Sequence, residues 1–245
     1  TPSREVQTKG KGYYSEIIVE TIPPDDTTNA PGNKFLIGGD LSAGYFGVVP
    51  ASELITGDSL ASKIGLSAGT SQFSTTAGWL KFAYNGKIQF VAKKPLRHSL
   101  SWDSINSANA VYGDTTVVID GLTYKIRLMR GANKDPADAY NGSVNHGSEW
   151  NRLMLPIHIQ AKDKSWAYPN NVENDIPYWG IDFTDEDLLT HYKYGNGSYS
   201  WCQEVAESTS RRIYRGYNGV SYSYSRSSSY SYRDRGWRPC LELVS

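Results

Sequence analysis

Apolar residues along this chain come in short bursts between polar, glycine-rich stretches. The clearest burst is residues 79–93, WLKFAYNGKIQFVAK, with two apolar runs around Asn85-Gly86. Asn-Gly tolerates the left-handed dihedrals of a two-residue turn, so the run predicts a hairpin. Residues 115–119 and 123–128 repeat the arrangement about Asp120-Gly121. Helix signals are fewer. Residues 59–64 predict a short helix stopped by Gly65. Ser101 is suited to cap a second helical element, which Gly113 would end. Residues 148–156 predict a third, with Trp150, Leu153 and Met154 on one face at i, i+3 and i+4. Thr184 and Asp187 have the spacing of a capping box. Near the start, residues 16–21 suggest a strand followed by a polar linker, and residues 35–49 suit a small hairpin or packed loop. Strands at 199–204, 211–215, 220–226, 230–233 and 237–244 complete the pattern. Short strands with a few short helices and long loops indicate an α+β fold rather than alternating β/α units.

One stretch differs from the rest. Residues 217–234 read YNGVSYSYSRSSSYSYRD, with five tyrosines, seven serines, two arginines and Val220 as the single aliphatic side chain. Such a composition cannot supply a core, yet GWRPCLELV follows at once and looks like a buried closing strand. Tyrosine offers large contact area at small entropy cost and serine offers adaptable hydrogen bonds, as in a paratope. Residues 221–225 alternate Ser and Tyr, so a strand would separate tyrosines and serines onto opposite faces. Tyr230 and Tyr232 repeat the phase, with 227–229 as the turn between two strands. Disordered tracts are usually poor in aromatics, so an ordered contact surface is expected. The candidate ligand contacts are Tyr199, Ser210, Arg211, Tyr214, Tyr217, Asn218, Tyr222, Tyr224, Arg226, Ser228, Tyr230, Tyr232, Arg233 and Asp234.

Composition narrows the function classes. The 245 residues fit one large or two small domains, and a mean hydropathy of −0.50 suits a soluble protein with a modest core. The net charge is zero, so bulk charge drives binding to neither nucleic acid nor membrane. Locally the balance shifts: residues 208–240 hold seven arginines (211, 212, 215, 226, 233, 235 and 238) against Asp234 alone, which favours an anionic ligand. Nucleic acid is not expected as a partner, because no recognisable motif accompanies the arginines. No run approaches the ~20 apolar residues of a spanning helix, so membrane insertion is not expected, and no secretory leader is read in the numbered residues. Cys202 and Cys240 allow at most one disulfide; two reduced, buried thiols is the favoured reading. Arg215 and Arg238 read as structural, with Glu204 and Glu242 as candidate partners. The acidic run Asp182, Asp185, Glu186 and Asp187 lacks a calcium-loop pattern and is better explained by helix capping. His98, His146, His158 and His191 show no metal-ligand spacing. With no strained nucleophile turn and no phosphate-cradling loop, neither enzymatic activity nor a cofactor nor a metal is expected.

Several short segments carry a family likeness. They are Gly147-Ser-Glu-Trp-Asn-Arg-Leu-Met, Tyr199-Ser-Trp-Cys-Gln-Glu, Arg212-Ile-Tyr-Arg-Gly and Gly236-Trp-Arg-Pro-Cys-Leu-Glu-Leu. Upstream, Gly78-Trp-Leu-Lys-Phe, Ala92-Lys-Lys-Pro-Leu-Arg-His-Ser and Ser101-Trp-Asp add to them. In their order and spacing, from about residue 35 to the end, they resemble the variable proteins of diversity-generating retroelements and related viral tail and receptor-binding proteins. That resemblance implies a C-type-lectin-like domain over 78–245, with 1–77 as an extension or attachment segment and a variable region at about 199–234. In that family, error-prone copying at adenines exchanges codons such as AAC among Tyr, Ser, Asp, Arg, Gly, His, Thr and Asn. Trp201, Cys202, Arg215, Gly216, Trp237 and Arg238 would be the fixed frame. The implied function is recognition of a macromolecular ligand, a host or cell-surface receptor, from the surface of a virion, with a microbial cell surface as the variant setting. Several copies on one particle would raise avidity. The alternative is a structural virion protein whose Tyr/Ser surface packs on neighbouring subunits. The closely spaced catalytic cysteines of the fold's formylglycine-enzyme-like branch are absent, as are the Glu-Pro-Asn or Gln-Pro-Asp signatures of its calcium-dependent sugar binders.

Overall fold

The computed structural model describes residues 3–6, 18–21, 24–138, 142–189, 195–206 and 208–244. In chain order the elements begin with β1 (Ser3–Val6), β2 (Ile18–Thr21), β3 (Gly38–Gly39), β4 (Ala43–Val49), α1 (Gly57–Lys63) and β5 (Thr70–Ser71). There follow β6 (Trp79–Tyr84), β7 (Lys87–Ala92), β8 (Arg97–His98), α2 (Trp102–Ser107), β9 (Tyr112–Ile119) and β10 (Leu122–Arg127). The last group is α3 (Glu149–Met154), α4 (Asp185–Leu188), β11 (Tyr199–Ala206), β12 (Ser208–Gly216), β13 (Ser223–Ser227), β14 (Arg235–Trp237) and β15 (Cys240–Leu243). β1 and β2 pair with each other. Two larger sheets carry the fold, ordered β3-β4-β6-β7-β15-β10-β9 and β13-β12-β11-β14-β8-β5. Nearly all strand pairs are antiparallel, the β11–β14 pair being parallel, and the helices are short. The class is α+β.

Local chemistry explains most boundaries. Asn85 (φ 49°) and Gly86 (φ 76°) make the left-handed turn between β6 and β7, and Asp120 (φ 48°) with Gly121 (φ 81°) do the same between β9 and β10. Thr56, Ser101 and Ser148 cap α1, α2 and α3, each accepting the backbone N–H three residues on. Thr184 and Asp187 form the reciprocal capping box of α4. Because Thr56 is the cap, α1 starts two residues before the sequence-based expectation. Gly113 does not end α2; it lies inside β9 with φ 89°. No strand forms at 230–233. Tyr230 N–H donates to Ser227 O and Arg235 N–H to Tyr232 O, closing two turns before β14 begins. The strand expected at 220–226 starts at Ser223, since Val220 and Ser221 sit in a turn that Tyr222 N–H closes onto Gly219 O. The closing strand is split, with the chain leaving one sheet at Trp237 and entering the other at Cys240.

Two apolar clusters lie against the sheets. One gathers Trp79, Phe90, Trp102, Tyr124, Trp201, Trp237 and Leu241; the other gathers Leu80, Phe82, Trp150, Met154, Cys202, Ile213 and Cys240. Both cysteines are free and buried. From Gly38 on, the segment expected as an extension shares these sheets: β4 pairs with β6, β5 pairs with β8, and Phe46, Val49 and Leu60 enter the first cluster. The polar run before it is pinned too, because Asp26 meets the fully buried Lys81 at 2.6 Å, and Lys81 also donates to Asn33 O at 2.7 Å.

Candidate ligand-binding surface

The site is built on four neighbouring strands, β13-β12-β11-β14. Their register puts Trp201, Tyr214 and Tyr224 in one cross-strand row, with Tyr199 beside Arg235 in the next. The opposite face carries Cys202, Ile213, Arg215 and Ser225, turned into the second cluster. Side chains alternate across a strand, so the Ser/Tyr alternation becomes a division of labour. Ser221 and Ser225 are buried, while Tyr222 and Tyr224 sit half-exposed on the other side.

Beneath this sheet lies a frame of fully buried guanidinium groups. Arg215 and Arg238 both approach the Trp150 ring, at 5.5 and 5.3 Å from its centroid. Arg215 donates to Gly131 O (2.9 Å), Asn151 Oδ1 (2.6 Å), Ser221 O (3.3 Å) and Tyr222 O (3.2 Å). Arg238 donates to Ser200 Oγ (3.0 Å), Lys93 O (3.0 Å), Ala92 O (3.3 Å) and Leu188 O. Neither guanidinium uses the carboxylate expected for it. Glu242 instead accepts from Lys87 and Arg127, and Glu204 from Gly131 N–H, with Arg130 Nε at 3.6 Å. Burial pulls Arg215 down to about 10 and Arg238 to about 9, so both stay charged at neutral pH. Arg215, bonded to Ser221 O and Tyr222 O, fixes where the loop 217–222 leaves the sheet, while Arg238 ties β11 to the chain at Ala92, Lys93 and Leu188.

Above the frame the tyrosines pack on one another. Tyr199 and Tyr217 are stacked at 4.4 Å and 4°, and Tyr214 meets Tyr199 edge-on at 4.2 Å. Tyr222 bridges outward to Tyr168 at 4.6 Å. Arg235 is buried among them, 4.3 Å from the Tyr199 ring, 4.4 Å from Tyr214 and 4.9 Å from Tyr230. Two expected contacts are therefore floor rather than surface: Tyr214 is 1% exposed and Tyr199 7%. Burial raises both phenols well above the ordinary tyrosine range, so they remain neutral donors.

The other candidate residues divide by what they touch. Asp234 is turned inward, 2.9 Å from Arg235 Nη1. Arg211 lies along β13, donating to Ser225 Oγ (3.0 Å) and Ser225 O (2.8 Å). Ser228 joins the tract to α2 by accepting from Asp103 N–H, and its own N–H donates to Ser210 O, Ser210 itself being exposed. Asn218 lines a cleft of about 490 Å³ with Gln160, Asp185 and Glu186. Tyr217, Tyr222 and Tyr224 are half-exposed; Arg226, Tyr230, Tyr232 and Arg233 are exposed. The structure thus brings the tract together as one surface. Sequence patterns did not single out Arg235 or Tyr168, because a lone arginine before Gly-Trp and a tyrosine in a distant loop carry no local signal.

The base of the loop 217–222 has its own anchor. Asp185 Oδ1 accepts from Val220 N–H at 2.7 Å and lies 3.2 Å from His158 Nε2. The acidic run at 182–187 thus serves capping and loop anchoring. Among the described residues no group of three or more His, Cys, Asp or Glu is arranged to hold a metal, and no helix is long and apolar enough to cross a membrane. His191 lies outside the described residues. In comparison with known proteins, no family model, curated protein or solved structure matches this chain.

Proposed function

We propose that this chain is a ligand-binding protein that presents an exchangeable Tyr/Ser/Arg surface on a C-type-lectin-like scaffold, in the manner of retroelement-diversified variable proteins. Its setting is the surface of a virus particle, and its ligand a receptor on a host cell. The observation that carries this reading is the split along the tract. Ser221, Ser225, Arg215 and Arg235 are buried, with Arg215 bonded to the backbone carbonyls of Ser221 and Tyr222, whereas Arg226, Tyr230, Tyr232 and Arg233 face solvent. Exposed side chains can change at little cost in stability, typically within about ±0.5 kcal/mol, so such a surface can vary while its frame persists. Tyrosine and arginine are also the residues most often found as binding hot spots.

The test is to sequence this gene across its population together with its surroundings. Substitutions should concentrate at the outward positions between 217 and 233, with Trp201, Arg215, Trp237 and Arg238 constant. A reverse transcriptase and an imperfect template repeat should lie nearby. A tract as constant as its frame, with neither feature alongside, would contradict the proposal.

A further inference from the structure

Resting on that reading, we infer that the surface is specific for an acidic protein segment, held by Arg226 and Arg233 with Tyr230 and Tyr232. The sequence offers seven arginines at 208–240, but the fold removes most of them from contact. Arg215, Arg235 and Arg238 are buried. Arg212 lies over the Trp102 ring at 4.1 Å, and Arg211 is tied to Ser225. Arg226 and Arg233 remain outward. The one acid of this segment, Asp234, is engaged by Arg235, which leaves the two outward guanidiniums with no carboxylate partner within the tract. Asp103, exposed at the start of α2, meets the tract through its backbone N–H, which donates to Ser228 O.

Arg226 is also pre-positioned. Its guanidinium stands 5.9 Å from the Tyr224 ring and 5.8 Å from Tyr230, and Tyr230 and Tyr232 are neighbours at 6.1 Å. A planar guanidinium held within cation–π range of two rings keeps its fork free for a carboxylate, and less freedom is lost when the bond forms. Tyr232, 59% exposed, adds contact area beside Tyr230. Two outward cations suit a few carboxylates on a protein surface. They suit a phosphate polymer poorly, since its affinity grows with the number of phosphates neutralised.

The experiment measures binding of the full chain to fluorescent decaglutamate, to decaglutamine and to a thymidine decanucleotide at physiological salt. Decaglutamate should bind in preference to both others. The pair Arg226→Ala and Arg233→Ala should weaken it by about tenfold or more with thermal stability unchanged, and Lys125→Ala on β10 should leave it unaltered. Equal binding of decaglutamine, tighter binding of the oligonucleotide, no decaglutamate binding at millimolar concentration, or indifference to the two arginine changes would each overturn the inference. If the tract nevertheless accepts exchange without unfolding, only the partner chemistry falls and the proposed function stands.

Discussion

Tyr217 has a bulky side chain on a left-handed backbone, φ 78°, where Asn or Gly would be more at ease. It is held there by its stack on Tyr199 and by its N–H bond to Ser198 O at 2.9 Å. Strain of this kind costs roughly 1–3 kcal/mol, comparable to what an aromatic pair returns. Tyr217→Asn should therefore change unfolding free energy by less than about 1 kcal/mol, measured by urea titration, while altering ligand contact. A loss above about 3 kcal/mol would show that Tyr217 belongs to the frame instead. Glu204 presents the opposite case, a carboxyl 1% exposed that burial pushes up to about 7, outweighing the Gly131 N–H bond and Arg130. The fold then holds a proton that the unfolded chain releases near 4.5. This contribution is fully present below about pH 4.5 and is lost as pH rises through about 7. Glu204→Gln should gain stability relative to the parent over that window, by roughly 3 kcal/mol at its upper end. Equal curves for parent and variant would remove the assignment.

At the scale of elements, the loop 217–222 hangs between the buried Arg215 and the Asp185 anchor. Asp185→Ala strands the Val220 N–H, a group buried with the rest of that residue. The change should cost about 1–3 kcal/mol and raise amide exchange at Val220 and its neighbours, with β6 and β7 unaffected. Exchange rising evenly through both sheets would contradict a local anchor. Elements whose cause is local were legible in the chain: the Asn85-Gly86 and Asp120-Gly121 turns, the Ser101 cap, a helix after Ser148 and the Thr184–Asp187 box all formed as expected. Elements fixed by distant partners were not. The parallel pairing of β11 with β14 brings Arg235 beside Tyr199, and no local pattern encodes it. The same pairing explains why the strand falls at Arg235–Trp237 and not at 230–233. The Ser/Tyr alternation gave the two faces, with Tyr222 and Tyr224 half-exposed and Ser221 and Ser225 buried, but not that Arg211 would meet Ser225 on the inner face.

For the molecule as a whole, the tyrosine surface rests on sheets whose strands run from Gly38 to Leu243. Asp26 and Lys81 form a pair whose side chains are fully buried, fastening the polar run near the start to β6. Asp26→Asn leaves the Lys81 charge uncompensated, so it should destabilise the protein by about 3–5 kcal/mol in one cooperative transition. A separate early transition involving only that segment would show it to be an appendage. Charge balance, apolar share and tyrosine content were all readable beforehand. The reduction of seven arginines to two outward ones was not, because burial is a property of the assembled sheets. The most direct measurement of the central claim is a pair of combinatorial libraries scored for cooperative unfolding. One exchanges Tyr217, Tyr224, Arg226, Tyr230, Tyr232 and Arg233 together among Tyr, Ser, Asn, Asp, Arg and Gly; the other treats Trp201, Arg215, Trp237 and Arg238 alike. Most members of the first should fold and most of the second should not. Unfolding as frequent in the first library as in the second would contradict a rigid frame bearing an exchangeable surface.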